Sequence, residues 1–150
     1  MLLAIDCGNT NIVFAIYDQD EQQAIWRISS DSRRSTDEYI VWLTQLMTLK
    51  NINVGDITGV MIASVVPGIQ PELVALAHRG FDLVPLCVDD PCVELGIAIN
   101  IDRPEQAGAD RLVNAVAAAA WHNLPAIVID FGTATTLDLI GPKGAYEGGI

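Results

Sequence analysis

Short apolar runs alternate with polar turns at the beginning of the chain, and a helical pattern follows them. Ser35 and Glu38 form a capping-box signature, and apolar residues such as Tyr39 and Leu43 recur behind it at helical spacing. This pattern predicts a helix over about 36–49. The apolar runs before it are bounded by turn residues, as β-strands are. Three strands of an antiparallel meander are therefore predicted, at 2–6, 11–17 and 23–28.

Strands and helices alternate in the next part of the chain. A buried strand is predicted at 58–66, a short helix that Gly80 stops at 71–79, and a further strand at 82–88. The order of three strands, helix, strand, helix and strand is typical of a ribonuclease-H-like α/β domain. Such a domain has a mixed sheet with helices on both faces.

The remaining pattern is less regular until a third predicted helix begins. Residues 92–103 are predicted to include extended segments over a cleft, and 104–107 a turn that ends at Gly108. A helix is predicted from about 109 to 122, and its run of alanines would allow the close packing that a connecting helix between two lobes needs. Pro125 lies just beyond its end.

A turn of small polar residues follows the first apolar run. That run ends at Asp6, and a second apolar run begins at Ile12, so the two predict a hairpin and not a phosphate loop that opens a helix. Phosphates at such a turn would be bound by backbone N–H groups and by the side chains of Asn9 and Thr10. Asp6 could hold a magnesium ion through its water shell. An ordinary tight turn explains this stretch alone equally well.

The same arrangement occurs a second time, at 128–137. Asp130 stands where the first copy has Asp6, and Gly132 where it has Gly8. Internal repeats indicate repeated structural units. The two hairpins predict two similar domains that face each other across a nucleotide, the plan of the actin and sugar-kinase superfamily. The predicted division is a first lobe with its connecting helix and the start of a second lobe: 1–124 and 125–150.

Composition narrows the classes of partner. Hydrophobic residues make up 51% of the chain and the net charge is −11, so a nucleic-acid backbone or an anionic membrane is a poor partner. No apolar run reaches the roughly 18 residues of a membrane span, and no basic segment precedes the first strand. Three cysteines without C-x-x-C spacing predict reduced thiols and a cytoplasmic protein. Cys7 is explained as well by burial of a small apolar residue as by a redox role.

Gly108-Ala109-Asp110-Arg111 is the other stretch that could carry chemistry. Asp110 lies in the first turn of its predicted helix, where the helix dipole keeps a carboxylate ionised. A capping charge explains it slightly better than catalysis does, although an ionised aspartate would suit phosphoryl transfer to a hydroxyl. Arg111 could bind a substrate carboxylate bidentately or form a surface ion pair.

Three motifs together resemble the type III pantothenate kinase family. They are the first turn at 6–11, the segment 108–111 and the second turn at 130–136, in this order. Each motif alone is weak, whereas the three together are specific, and the similarity spans the whole chain. The resemblance implies ATP-dependent phosphorylation of pantothenate, the first step of coenzyme A synthesis.

The resemblance also implies roles for individual residues. Asp110 would accept the proton of the primary hydroxyl of pantothenate, and Gly108, Ala109 and Arg111 would contact this substrate. Asp130 would bind an activating potassium or ammonium ion, and Thr133 a phosphate of ATP. The first phosphate loop, whose Asp6 would lie near Mg²⁺, would comprise Asp6, Cys7, Gly8, Asn9, Thr10, Asn11, Ile12 and Val13.

Two departures from the family qualify this picture. Many members have a pantothenate-contacting tyrosine where this chain has Ile101, so that contact must be lost or replaced. Members also continue well past residue 150 and act as homodimers in which the partner subunit helps to build the pantothenate site. The 150 residues alone are therefore expected to be inactive.

Two other functions remain open at this point. The first is a non-catalytic family member that binds nucleotide and regulates a partner, which would not need Asp110. The second is a sugar kinase or phosphatase of the same superfamily, against which the Gly-Ala-Asp-Arg segment argues.

Overall fold

The computed structural model describes residues 1–150 and divides them into two units, Met1–Cys87 and Val88–Ile150. The predicted connecting helix falls in the second unit, and the lobe boundary after residue 124 stays a prediction.

The first unit is a five-stranded mixed sheet with two helices. The strand order is β3-β2-β1-β4-β5, with β1 antiparallel to β2 and parallel to β4. The ribonuclease-H-like order of elements is therefore confirmed. Its elements are β1 (Leu2–Cys7), β2 (Asn11–Asp18), β3 (Glu21–Ser29), α1 (Thr36–Leu49), β4 (Gly59–Ser64), α2 (Gln70–Phe81) and β5 (Leu86–Cys87), with a short 3₁₀ turn at Val54–Asp56.

Alternation along β1 and β2 builds the core of this unit. Leu3 and Ile5 of β1 and Ile12 and Phe14 of β2 are almost completely buried, because alternate residues of a strand point to one face. The helices cover them with a stripe of buried residues: Tyr39, Leu43, Met47, Leu73 and Leu76. This burial stabilises the sheet whose strand ends carry the first turn.

The start of α1 confirms the predicted capping box. The Ser35 hydroxyl accepts a hydrogen bond from the Glu38 N–H at 3.4 Å, and the Glu38 carboxylate accepts one from the Ser35 N–H at 2.8 Å. A third interaction was not predicted: the Glu72 carboxylate of α2 accepts from the Thr36 N–H at 2.8 Å. This bond satisfies another N–H of the first turn and ties α1 to α2.

The prediction that Gly80 stops α2 is wrong. Gly80 lies inside the helix, which ends at Phe81 with Asp82 in the left-handed conformation at φ 57°. A Cβ at Gly80 would lie 3.3 Å from carbon atoms of both Ile40 and Leu76. The glycine therefore serves the close approach of α2 to α1.

The strand predicted at 82–88 shrinks to two residues, Leu86–Cys87. Val84 is 80% exposed and Leu86 54%, whereas Val88 is buried and Leu83 and Cys87 pack against the core, so only one face of this apolar run is covered. The predicted extended segments at 92–103 contribute one isolated bridge, between Ile99 and Tyr146.

The second unit is a three-stranded antiparallel sheet, in the order β6-β7-β8, packed on one helix. The predicted second hairpin is confirmed by β6 and β7, whereas β8 was not predicted. Its elements are α3 (Ala109–Trp121), β6 (Ala126–Phe131), β7 (Thr135–Ile140) and β8 (Tyr146–Gly149), preceded by a 3₁₀ turn at Pro104–Gln106.

One face of this sheet leaves apolar side chains at the surface. Ile127 lies opposite Leu139, and Ile129 opposite Leu137, in the register of β6 and β7. All four are exposed, and Phe131 is 81% exposed.

The length and hydropathy of the helices also exclude a membrane-spanning helix among them.

Candidate functional site

The first turn is a tight loop between β1 and β2, held in place by Ser30. The Gly8 N–H donates to the Asn11 carbonyl at 3.0 Å and closes the turn. Ser30, just after β3, donates its N–H to the Thr10 carbonyl at 2.9 Å and its hydroxyl to the Gly8 carbonyl at 2.5 Å. Two carbonyls of the loop are thus bound from the β3 side, which fixes the loop conformation.

The residues of this turn differ in what they can offer a ligand. Asp6, Asn9 and Thr10 are exposed, whereas the side chains of Cys7 and Ile12 are fully buried. Any ligand contact of the two buried residues would therefore involve their backbone. Asn11 and Val13 are partly exposed.

The turn lies at the carboxyl ends of two parallel strands. Cys7 of β1 is in register with Ser64 of β4, and the Val65 N–H donates to the Cys7 carbonyl at 3.0 Å. Open α/β sheets bind ligands at this edge. Burial raises the pKa of the Cys7 thiol, against a smaller opposite effect of the Ser64 hydrogen bond. The thiol is therefore protonated at neutral pH, as expected for a structural cysteine.

The second turn, between β6 and β7, is closed in a similar way. The Gly132 N–H donates to the Ala134 carbonyl at 3.1 Å. Asp130 is partly exposed near the end of β6, and Thr133 in the turn is exposed. Each hairpin thus carries a carboxylate at the end of its first strand, followed by a glycine-containing turn.

The segment 108–111 forms the first turn of α3. Gly108 is the N-cap, and the Asp110 carboxylate accepts a hydrogen bond from the Arg111 N–H at 2.7 Å. Asp110 is partly exposed, so the same carboxylate can stabilise the helix end and be reached from solvent. Ala109 is 4% exposed, so a contact there would involve its backbone.

Arg111 forms an ion pair with a carboxylate that no sequence motif indicated. Its Nε lies 2.9 Å from Oδ1 of Asp138 on β7, and the Asp138 side chain is 1% exposed. Of the two alternatives for Arg111, the structure thus contains an ion pair, in which the carboxylate is buried and the guanidinium is partly exposed. The signal in the sequence is a lone aspartate between Leu137 and Leu139, in β7.

Tyr146 completes the surroundings of Asp138. Its hydroxyl donates to Oδ1 at 2.8 Å. Burial, and next the hydrogen bond to Asp138, raise the pKa of Tyr146 to about 12. The tyrosine therefore remains a hydrogen-bond donor at any physiological pH, and the buried carboxylate keeps two donors, as a buried charge requires.

We expect Gly149→Ala to destabilise the protein by about 3 kcal/mol, because overpacking and disturbance of a buried ion pair each cost energy of this order. A Cβ there would lie 2.2 Å from the Leu137 carbonyl oxygen and 2.3 Å from Oδ1 of Asp138. Urea unfolding measures the loss. Gly59→Ala, in another strand, is the matched control, since its Cβ would meet its nearest neighbour at 3.6 Å. Equal stability of the two variants would contradict the close approach of β8.

The carboxylates do not form a protein cage for a metal. No group of three or more His, Cys, Asp or Glu side chains in residues 1–150 could hold a metal ion. Magnesium ions in phosphate-transfer sites, however, are held by one or two carboxylates together with substrate phosphates and water. A single exposed carboxylate such as Asp6 fits that arrangement, and the oxygen donors of Asp130 fit a hard monovalent cation.

A cleft in the second unit does not include the predicted site residues. It has a volume of about 690 Å³ and is lined by residues between Val88 and Leu112, among them Pro91, Leu95 and Ile97. Neither Asp110 nor Arg111 lines it, so its presence does not bear on their roles.

Similarity to solved structures defines the class of fold. The ethanolamine utilization protein EutJ from Carboxydothermus hydrogenoformans matches with a TM-score of 0.53 at 16% identity, over 99% of this chain and 50% of that chain. The type II variant of the Aquifex aeolicus Ppx/GppA phosphatase matches with a TM-score of 0.50 at 11% identity, over 99% and 50%. At such identities the likeness shows the fold alone, which is that of the actin-like ATPases.

The sequence assigns the family within this class. The profile described as "Type III pantothenate kinase" matches residues 2–150, and the chain belongs to the type III pantothenate kinase family. It is 56% identical over 149 residues to the type III pantothenate kinase of Paramagnetospirillum magneticum and 54% identical to that of Rhodospirillum rubrum. Each match covers 99% of this chain, but only 57% of the first relative and 58% of the second. The chain thus spans little more than half the length of these relatives.

Proposed function

We propose that the full-length protein transfers the γ-phosphoryl group of ATP to the primary hydroxyl of pantothenate. The products are 4′-phosphopantothenate and ADP, in the first step of coenzyme A synthesis. The observation that carries the proposal is the family match over residues 2–150. Two features support it. The two aspartate-bearing hairpins provide phosphate- and metal-binding groups, and the partly exposed Asp110 provides a proton acceptor, as phosphoryl transfer needs.

The two hairpins would bind the phosphates of ATP. In the first, residues 6–13 would offer backbone N–H groups and the exposed Asn9 and Thr10 side chains. In the second hairpin, Thr133 would contact a phosphate of ATP. Asp6 would hold Mg²⁺, which when bound offsets the phosphate charge that a chain of net charge −11 would otherwise repel.

The first turn of α3 would bind and activate pantothenate. Gly108, Ala109 and Arg111 would contact it. The hydroxyl oxygen forms a bond to the γ-phosphorus while the bond from phosphorus to the bridging oxygen of ADP breaks. The hydroxyl proton passes to Asp110, which suits this step because the carboxylate only has to position the hydroxyl and accept the proton late.

Gly8→Ala and Gly132→Ala are each expected to raise the KM for ATP about 10- to 100-fold, the effect of weakening a hydrogen bond to a charged group. The protein has space for the added Cβ at both positions. The nearest atom would be the Asn11 carbonyl oxygen, 3.4 Å from a Cβ at Gly8, and the Ala134 carbonyl oxygen, 3.6 Å from a Cβ at Gly132. The added Cβ would nevertheless obstruct the approach of a phosphate to the backbone. Steady-state kinetics and a melting curve separate the two effects.

Gly55→Ala is the matched control for this pair, because no atom lies within 4 Å of its added Cβ. It should change neither KM nor stability by a measurable amount. A KM for ATP that stays at the wild-type value in both turn variants would refute phosphate binding at the hairpins.

Asp130 is proposed to bind the activating monovalent cation, and this gives a second test. Activity of the wild type should rise with added potassium or ammonium but not with sodium, and Asp130→Ala should flatten that response. Potassium and ammonium ions are similar in size and sodium is smaller, so oxygen ligands spaced for the larger ions would coordinate sodium poorly. A wild type indifferent to all three cations would count against the assignment.

The protein is proposed to act in the cytoplasm as a homodimer whose partner subunit helps to build the pantothenate site. Its three free cysteines, Cys7, Cys87 and Cys92, suit a reducing compartment. Light scattering on the full-length protein tests the dimer.

A coupled assay of ADP release by the full-length protein, with and without pantothenate, tests the function. ADP release that depends on pantothenate supports the kinase. Nucleotide binding without such release would favour a regulatory member of the family.

A further inference from the structure

The guanidinium of Arg111 is bound on one side only. Its Nε lies 2.9 Å from Oδ1 of Asp138, and its Nη2 donates to the Ile150 carbonyl at 3.0 Å. Nη1 donates no hydrogen bond within residues 1–150, and the side chain keeps 24% of its surface exposed. One edge of the cation is therefore anchored, and another remains for a ligand.

The anchor on Asp138 is built deep in the second unit. The carboxylate is 1% exposed, accepts from the Tyr146 hydroxyl at 2.8 Å, and has β8 passing so close that position 149 has no space for a Cβ. Burial of an ion pair adds little stability in itself, since a well-packed apolar pair is often as stable or more stable. What the pair does provide is a fixed direction for the arginine.

We propose that Asp138 is a positioning residue, which together with Tyr146 holds the guanidinium of Arg111 ready for the carboxylate of the substrate. This inference rests on the proposed function, in which Arg111 contacts pantothenate. A planar guanidinium offers a carboxylate a matched pair of donors only in a defined orientation. An arginine held before binding does not lose its side-chain freedom on binding, and this loss would otherwise weaken affinity.

Asp138→Asn in the full-length enzyme tests the proposal. The change keeps the size of the side chain and removes its charge. We expect the KM for pantothenate to rise about tenfold, the effect of ordering one long side chain, while kcat and the KM for ATP change less than about twofold. In the Arg111→Met background the same change should leave the KM for pantothenate unaltered, because there is no guanidinium left to position.

Two further variants keep the test sharp. Asp102→Asn is the matched control, since it removes the charge of an exposed aspartate in the same unit and should leave the KM unchanged. Tyr146→Phe removes one donor without touching the ion pair and should raise the KM about threefold. It serves if Asp138→Asn does not fold.

The outcomes separate this inference from the proposed function. A wild type without pantothenate-dependent turnover overturns the proposed function and this inference with it. An active wild type whose KM for pantothenate is unchanged or lowered by Asp138→Asn overturns the positioning role alone. So does an effect of equal size with and without Arg111, since a merely structural carboxylate would act in both backgrounds.

Discussion

Asp110→Asn should lower kcat of the full-length protein with pantothenate by about 10²–10⁴, the usual contribution of a general base. Asparagine cannot take the hydroxyl proton. It can still accept the hydrogen bond that Asp110 receives from the Arg111 N–H, so the helix start and ATP binding should persist. Steady-state kinetics, together with circular dichroism and ATP titration, measure the three quantities separately.

Asp102→Asn is the matched control for this prediction. Asp102 lies in the exposed loop before α3 and loses the same charge. Its kcat should remain within about twofold of the wild type, since exposed charges contribute little. Near-normal turnover in Asp110→Asn would instead assign Asp110 the role of a capping charge.

A protein that consists of residues 1–150 alone should bind ATP weakly and should not phosphorylate pantothenate. The relatives are nearly twice as long, since the chain covers 57% and 58% of them. Phosphoryl transfer depends on positioning both substrates, which requires the two hairpins to be held on one nucleotide. We expect that the 150 residues do not supply this arrangement.

The same protein should also self-associate. The pairs Ile127–Leu139 and Ile129–Leu137 form an exposed apolar face on its second sheet, and Phe131 is 81% exposed. Exposed apolar faces of this kind are typical sites of association. Light scattering and a kinase assay, with the full-length protein as the control, decide both points. A monodisperse monomer that turns over pantothenate would show that the two-lobe account is wrong.

Local patterns predicted much of the fold because they depend only on residues that are close together in the sequence. The capping box at Ser35 marked the start of α1, and two apolar runs joined by a short polar turn marked each hairpin. The prediction at Gly80 was wrong because a glycine can either end a helix or allow a neighbouring helix to approach closely. Only the three-dimensional contact with Ile40 shows that Gly80 has the second role. The strand β8 escaped because its two glycines have no side chains to form a pattern.

The candidate site was less accessible to such reasoning. The aspartates at both turns stood out because an acidic residue ended an apolar run, but their roles came from the family resemblance and stay predictions. Asp138 was missed because its partners, Arg111 and Tyr146, are 27 and 8 residues away in the chain. Sequence spacing does not show which buried carboxylate meets which cation.

The identity of the phosphorylated product shows whether the full-length protein is a pantothenate kinase. The full-length protein would be incubated with ATP, Mg²⁺, potassium and pantothenate, and the products analysed by mass spectrometry and ³¹P NMR. We predict a phosphomonoester whose phosphorus couples to the methylene of the primary alcohol, formed in equal amount with ADP. Consumption of ATP that leaves pantothenate unmodified, or no consumption of ATP at all, would contradict the account.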